Sequence, residues 1–148
     1  MKQLNLFILF YFILFILTSM NTFAGQTTPS TADLTIHITG FETSAGIAKM
    51  ALINSKENYT EETPFKGYDF KITNNEVIET IPLPYGEYAI KVFHDENKNN
   101  ELDTMVFGIP AERYGFSNDA RGMFGPPEYD AAVFKLDAPK KEISITIK

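Results

Sequence analysis

Apolar and polar residues alternate with a period of two along most of the chain beyond position 31. That period marks strands with one buried face. Leu34, Ile36 and Ile38 alternate with Thr35, His37 and Thr39, and Gly40 closes the run. Ala48, Met50 and Leu52 repeat the alternation after a turn around Ser44 to Gly46, and a polar stretch from Asn54 to Gly67 follows. Tyr68 to Thr73 and Glu76 to Ile81 flank Asn74-Asn75, a two-residue link whose side chains tolerate the positive φ of a tight turn, so a hairpin is predicted there. Pro82 to Gly86 makes the next turn, after which Tyr88, Ile90 and Val92 alternate with Ala89 and Lys91 up to His94. Ala132, Phe134 and Leu136, then Ile143, Ile145 and Ile147, supply two more runs on either side of Pro139-Lys140. No sustained 3.6-residue apolar period interrupts this series, which predicts an all-β fold: a single antiparallel β-sandwich of about seven strands over residues 32–148.

The first two dozen residues follow a different rule. Lys2 precedes the uncharged apolar run Leu6 to Leu17, and a polar stretch then leads to Thr22-Phe23-Ala24. The run is shorter than the roughly 20 residues needed to cross a bilayer and has the parts of an export signal. Residues 1–24 are therefore expected to be a signal peptide and 25–31 a Thr-, Ser- and Pro-rich leader. The expected product is a periplasmic or secreted protein with no membrane span after cleavage.

Composition narrows the partners. The 148 residues carry 13 Lys and Arg against 19 Asp and Glu, a formal charge of −6, which argues against gripping nucleic-acid phosphates. Metal cations suit that balance better. The chain has no cysteine and two histidines, so disulfides are excluded and a zinc site would lack its usual nitrogen and sulfur ligands. His37 falls on the polar face of the first strand, and His94 closes a later strand beside Asp95.

Between residues 95 and 130 the alternation stops and the candidate chemistry begins. Asp95, Asn97 and Asn99 place oxygen side chains at alternate positions, with Asp103 four residues beyond. A curled loop can aim such side chains at one hard cation while a backbone carbonyl, here that of Glu101, fills a gap. Asn100 stands where such a loop needs a left-handed residue, and Leu102 supplies an apolar anchor. Calcium is the expected ion, in a structural role. Val106, at the twelfth position, gives no carboxylate, so a further ligand must come from elsewhere or from water; Asp119, Glu128 and Asp130 are the candidates near in sequence. The alternative is a polar turn in which Asp and Asn accept from their own backbone amides.

Phe107 to Pro127 is too long for a simple connector and too aromatic for a mobile one. It holds both arginines of the chain, Arg113 and Arg121, together with Tyr114, Phe116 and Phe124. Either the arginines pin the loop to carboxylates while the aromatics close one end of the sandwich, or Arg113, Tyr114, Phe116, Arg121 and Phe124 form a recognition surface.

The ordered string His94-Asp95-Glu96-Asn97, Leu102-Asp103, Gly108-Ile109-Pro110, Tyr114-Gly115-Phe116-Ser117-Asn118, Ala120-Arg121-Gly122 and Phe124-Gly125-Pro126-Pro127 resembles the domain of unknown function 2141 family. Pro84-Tyr85-Gly86-Glu87-Tyr88 is similar to that family's turn-and-strand entry. The resemblance runs from the first strand to the last. It implies an exported bacterial protein with an immunoglobulin-like or prealbumin-like sandwich, and it implies no particular activity. Asn100 departs from the glycine that similar sequences often carry.

No nucleophile motif or phosphate loop is present. The expected role is binding rather than catalysis: a calcium-stabilised module that takes an envelope protein, a peptide or a glycan. The alternative is a hydrolase acting on a small or glycan substrate through two carboxylates drawn from Asp95, Asp103, Asp119 and Asp130.

Overall fold

In a computed structural model, residues 30–148 are described; the expected signal peptide and nearly all of the expected leader lie outside the described residues. Eight strands and two short helices follow one another: β1 (Thr31–Thr39), β2 (Ile47–Ile53), α1 (Lys56–Thr60), β3 (Lys66–Phe70), β4 (Val77–Pro84), β5 (Gly86–Asp95), β6 (Tyr114–Phe116), α2 (Tyr129–Ala132), β7 (Phe134–Leu136) and β8 (Lys140–Thr146). They form a three-stranded sheet in the order β4-β1-β8 and a five-stranded sheet in the order β3-β2-β5-β6, with β7 also paired to β5. The architecture is the all-β sandwich that the alternation predicts.

The buried alternate positions face one another across the sandwich. Ala32, Leu34, Ile36 and Ile38 of β1 meet Ala48, Met50 and Leu52 of β2 and Tyr88, Ile90 and Val92 of β5 in one continuous core. Burying a side chain of this size stabilises the fold by about 1.5–3 kcal/mol, so the strand pattern also carries most of the favourable energy.

Three local features differ from the sequence expectation. Asn74 and Asn75 do adopt φ of 53° and 60°, but the hairpin they were expected to join opens after a single bridge, Thr73 to Glu76. β3 then stays in the larger sheet and β4 in the smaller, because Phe70 and Val77 must both reach the common core from opposite sheets. Pairing is antiparallel throughout except between β1 and β8, which run parallel. The chain crosses between sheets at residues 137–139 and meets β1 at its N-terminal end, where Asp33 N–H donates to the Pro139 carbonyl at 2.9 Å. β8 therefore continues alongside β1 rather than against it. Finally, α1 lies inside the expected polar connector, capped by Ser55, whose hydroxyl accepts from Asn58 N–H.

The last residues of the chain join the two sheets. Lys148 exchanges backbone hydrogen bonds with Tyr114 at 3.1 and 3.2 Å, and Ile147 N–H donates to Thr39. Gly115 allows this approach, since a Cβ there would lie 3.1 Å from the side chains of both Ile145 and Ile147.

The outer face of the larger sheet is half covered. Ile53, Tyr59, Ala89, Phe116, Ala120, Tyr129 and Ala132 form a second apolar cluster at one end, where α1 and α2 pack over the strands. Among the described residues, no α-helix packs over the rest of that face.

Candidate functional site: an oxygen-rich loop beside an apolar groove

β5 delivers Asp95 to the foot of the acidic loop with its side chain fully buried. A buried carboxylate needs hydrogen-bond donors, and the loop curls to provide them. Asn99 N–H and Asn100 N–H donate to its two oxygens at 3.1 and 2.9 Å. The curl requires left-handed backbone, found at Lys98 (φ 62°) and at Asn100 (φ 68°), the position anticipated for it. Asn97 and Asn99 then turn their amides toward Asp103, donating to its two carboxylate oxygens at 2.6 and 2.9 Å. Asn97 and Asn99 also accept from the Asn99 and Glu101 amides.

Asp95, Asn97, Asn99 and Asp103 are thus brought together, whereas the Glu101 side chain is exposed. Asp119, Glu128 and Asp130 are not part of this group. Asp119 accepts from Thr146 N–H at 2.7 Å, Asp130 pairs with Lys56 at 3.0 Å, and Glu128 sits at the N-terminal end of α2. The acid that does face the loop is Glu112, almost wholly buried, which accepts from Glu96 N–H at 2.9 Å and from Asp103 N–H at 3.0 Å. Nothing in the sequence period marks it. Among the described residues, no three of His, Cys, Asp and Glu gather closely enough to hold a metal by themselves, so any cation here also needs the amide or backbone oxygens.

The polypeptide leaving this loop overhangs the uncovered part of the larger sheet and makes a groove of about 1020 Å³. Its floor includes Ala51, Lys91, Phe93, Tyr114 and Phe116, and its walls include Phe107, Ile109 and Phe124. Phe107 and Phe124 are 96% and 97% exposed. Met105, Val106, Ile109 and Met123 beside them are also exposed. Phe93 carries a signal in the sequence: it is an aromatic on the same face of β5 as Glu87 and Lys91.

Both lysines at the floor already have partners. Lys49 donates to Asp69 at 2.8 Å and to Asn100 at 2.9 Å, fastening the acidic loop to β2 and β3. Lys91 donates to the Tyr59 carbonyl at 3.2 Å and lies 4.2 Å from the Tyr59 ring centre. Burial pushes the Lys91 ammonium below the usual lysine range, with the Glu62 carboxylate pulling the other way.

The arginines lie outside the lining of the groove. Arg113 pairs with Glu42, whose carboxyl it holds below the usual range by hydrogen bonding and charge. Arg121 donates to the carbonyls of Thr146 at 2.7 Å and Tyr114 at 3.3 Å, tying its loop to β8 and β6. Tyr114, Phe116 and Phe124 do line the groove, so the five residues of the anticipated surface divide into two fasteners and three lining residues.

His94 is fully buried against Phe41, with Nε2 at 2.7 Å from the Ala45 carbonyl. Its Nδ1 lies 3.6 Å from the Glu96 carboxylate and has no hydrogen-bond partner among the described residues. His37 pairs with Glu76 on the opposite sheet.

No curated protein and no solved structure matches the chain. A family model does, over residues 36–144, from β1 into β8, and it spans the strands, the acidic loop and the groove together. The chain therefore belongs to the family described as "uncharacterized protein conserved in bacteria (DUF2141)".

Proposed function

We propose that this protein is an exported binding module of the bacterial periplasm or medium, in which calcium braces the Asp95–Asp103 loop and the adjoining groove takes the partner. The observation that carries the reading is the groove: two nearly fully exposed phenylalanines stand over a floor of sheet residues. Apolar side chains left in water at this density are a feature of interaction sites rather than of ordinary surface. The two lysines at the floor are already engaged by Asp69, Asn100 and the Tyr59 carbonyl, so they offer few hydrogen bonds to a sugar hydroxyl. A peptide or protein partner fits that chemistry better than a glycan.

Calcium is supported by the meeting of Asn97 and Asn99 with the Asp103 carboxylate, by the Asp95 carboxylate at the foot of the same loop, and by left-handed backbone at Asn100. Two amide N–H groups now meet the Asp103 carboxylate there. A divalent cation would meet the same carboxylate with more charge, with Asp95, Asn97, Asn99, Asp103 and the Glu101 carbonyl as its ligands. Its role would be to stiffen the loop from which the groove wall springs.

Two measurements test the two halves of the proposal. Thermal melting of metal-free protein against added calcium is expected to show a rising Tm, since a ligand bound only by the native state adds about 2.7 kcal/mol at about 100 times its Kd. No shift at millimolar calcium removes the metal. An environment-sensitive apolar dye is expected to bind the native protein and to lose affinity in Phe107→Ser/Phe124→Ser; equal binding by both proteins removes the groove.

A further inference from the structure

We infer that the partner in the groove is a second copy of this chain, held in an isologous dimer in which Phe107 and Phe124 of each copy enter the groove of the other. This rests on the groove being a binding site and names its occupant. A two-fold interface requires one patch to carry both the projection and the recess that receives it. Here they share a face: the exposed phenylalanines form the rim of the recess they would fill in a partner.

The area is sufficient. Two exposed phenylalanines leave roughly 300–500 Å² in water, counting the area such a ring buries when enclosed. Ile109 lines the same groove, and Met105, Val106 and Met123, also exposed, adjoin the two phenylalanines in sequence. Together they approach the roughly 800 Å² that each partner contributes to a standard interface.

The charges permit it. Although the chain carries −6 overall, the charged side chains lining the groove are Lys49, Lys91, Glu62 and Asp69, two of each sign. The residues lining this face therefore bring no excess of like charge together when two copies meet. The spans Thr104 to Ala111 and Gly122 to Pro127 contain no charged residue at all. The projection is also fastened, so little order is lost on association: Met105 N–H donates to the Ile109 carbonyl, and Ala111 N–H donates to the Asp103 carbonyl, each at 2.7 Å.

Sedimentation of the full chain, as the producing cell processes it, tests this over a concentration series. The expected result is a reversible doubling of mass, weakened roughly 30-fold or more by Phe107→Ser/Phe124→Ser, the loss typical of central aromatic anchors. Ile78→Ser, which alters an exposed apolar residue of the opposite sheet, is expected to leave the transition in place. Monomer mass up to about 0.3 mM, or a dimer indifferent to the double substitution, overturns the inference. So does a monomer that cosediments with phosphatidylcholine vesicles through the same phenylalanines, which would make a lipid surface the occupant. Dye binding by the dilute protein separates the two levels. A monomer that still binds dye through Phe107 and Phe124 loses only the second copy, whereas a monomer that binds none loses the groove as a site as well.

Discussion

The two ends of one sheet face behave differently in this protein. At one end, α1 and α2 lie over β2 and β5, and Tyr59 meets Tyr129 edge to face at 5.6 Å. Ser117, fully buried there, accepts from Ile90 N–H at 2.9 Å and donates to the Ala132 carbonyl at 2.6 Å. At the other end, Phe93 and Tyr114 lie under loops that carry exposed phenylalanines. Both ends are apolar, so hydrophobicity does not separate them. The covered end has paired the buried Ser117 hydroxyl and enclosed its rings, which is what stability requires; the open end has paired its lysines and left Phe107 and Phe124 in water, which on the proposed reading favours a partner.

The largest expected effect comes from releasing the loop that walls the open end. Asp95→Ala strands two backbone donors in a buried place and is expected to cost about 3 kcal/mol by urea denaturation, while the strands stay folded. On the proposed reading it also abolishes any calcium-dependent rise in Tm. Next comes the covered end itself: Ser117→Ala leaves one donor and one acceptor unpaired and is expected to cost about 2 kcal/mol, with dye binding at the groove unchanged. A loss of dye binding in that variant would show that the two ends are not independent.

Tyr59 offers a subtler separation. Burial, reinforced by Glu128, pushes its hydroxyl from 10.0 up to about 12, and the hydroxyl donates to the Pro127 carbonyl at 2.9 Å. Its folded value lies above its unfolded one, so the folded state keeps the proton longer. The stabilisation is fully present below pH 10 and is lost as pH rises toward 12. Tyr59→Phe is expected to lower stability by about 1 kcal/mol at neutral pH and to flatten this part of the alkaline profile. A profile unchanged by the substitution would assign the slope to other groups, Tyr129 among them, whose hydroxyl burial also raises.

The smallest effect on stability is expected at the open end. Phe124→Ser removes a ring already in water and should change unfolding free energy by less than about 0.5 kcal/mol while weakening dye binding. A large destabilisation would mean that the ring is packed after all, and the contrast between the two ends would fail.

Much of this was legible before any coordinates. Period-two alternation located the core of β1, β2 and β5 residue by residue, because side chains in a strand must alternate between faces and only one face of each sheet meets the other. The spacing of Asp95, Asn97, Asn99 and Asp103 marked a curled loop, in which Asn97 and Asn99 meet the Asp103 carboxylate while Asp95 accepts from the loop's backbone amides. Glu112 was not legible: it lies nine residues beyond Asp103 and reaches the loop only because the Thr104 to Ala111 excursion returns on itself. Three-residue β6 was too short to show a period, whereas Phe134 and Leu136 did mark β7, although Ala132, read in the same run, lies in α2.

Local order in the chain, then, determined which residues would be strands, which face of each would be buried, and where the acidic loop would curl, because those properties depend on neighbours within a few positions. Tertiary structure alone decided that β3 and β4 part into different sheets, that β8 lies parallel to β1, and that Arg113 and Arg121 hold the frame while Phe107 and Phe124 stand over a recess. Each of those outcomes depends on residues dozens of positions apart arriving at one place, and the energy of such a meeting is set by packing and hydrogen bonding across the sandwich rather than by any pattern along the chain.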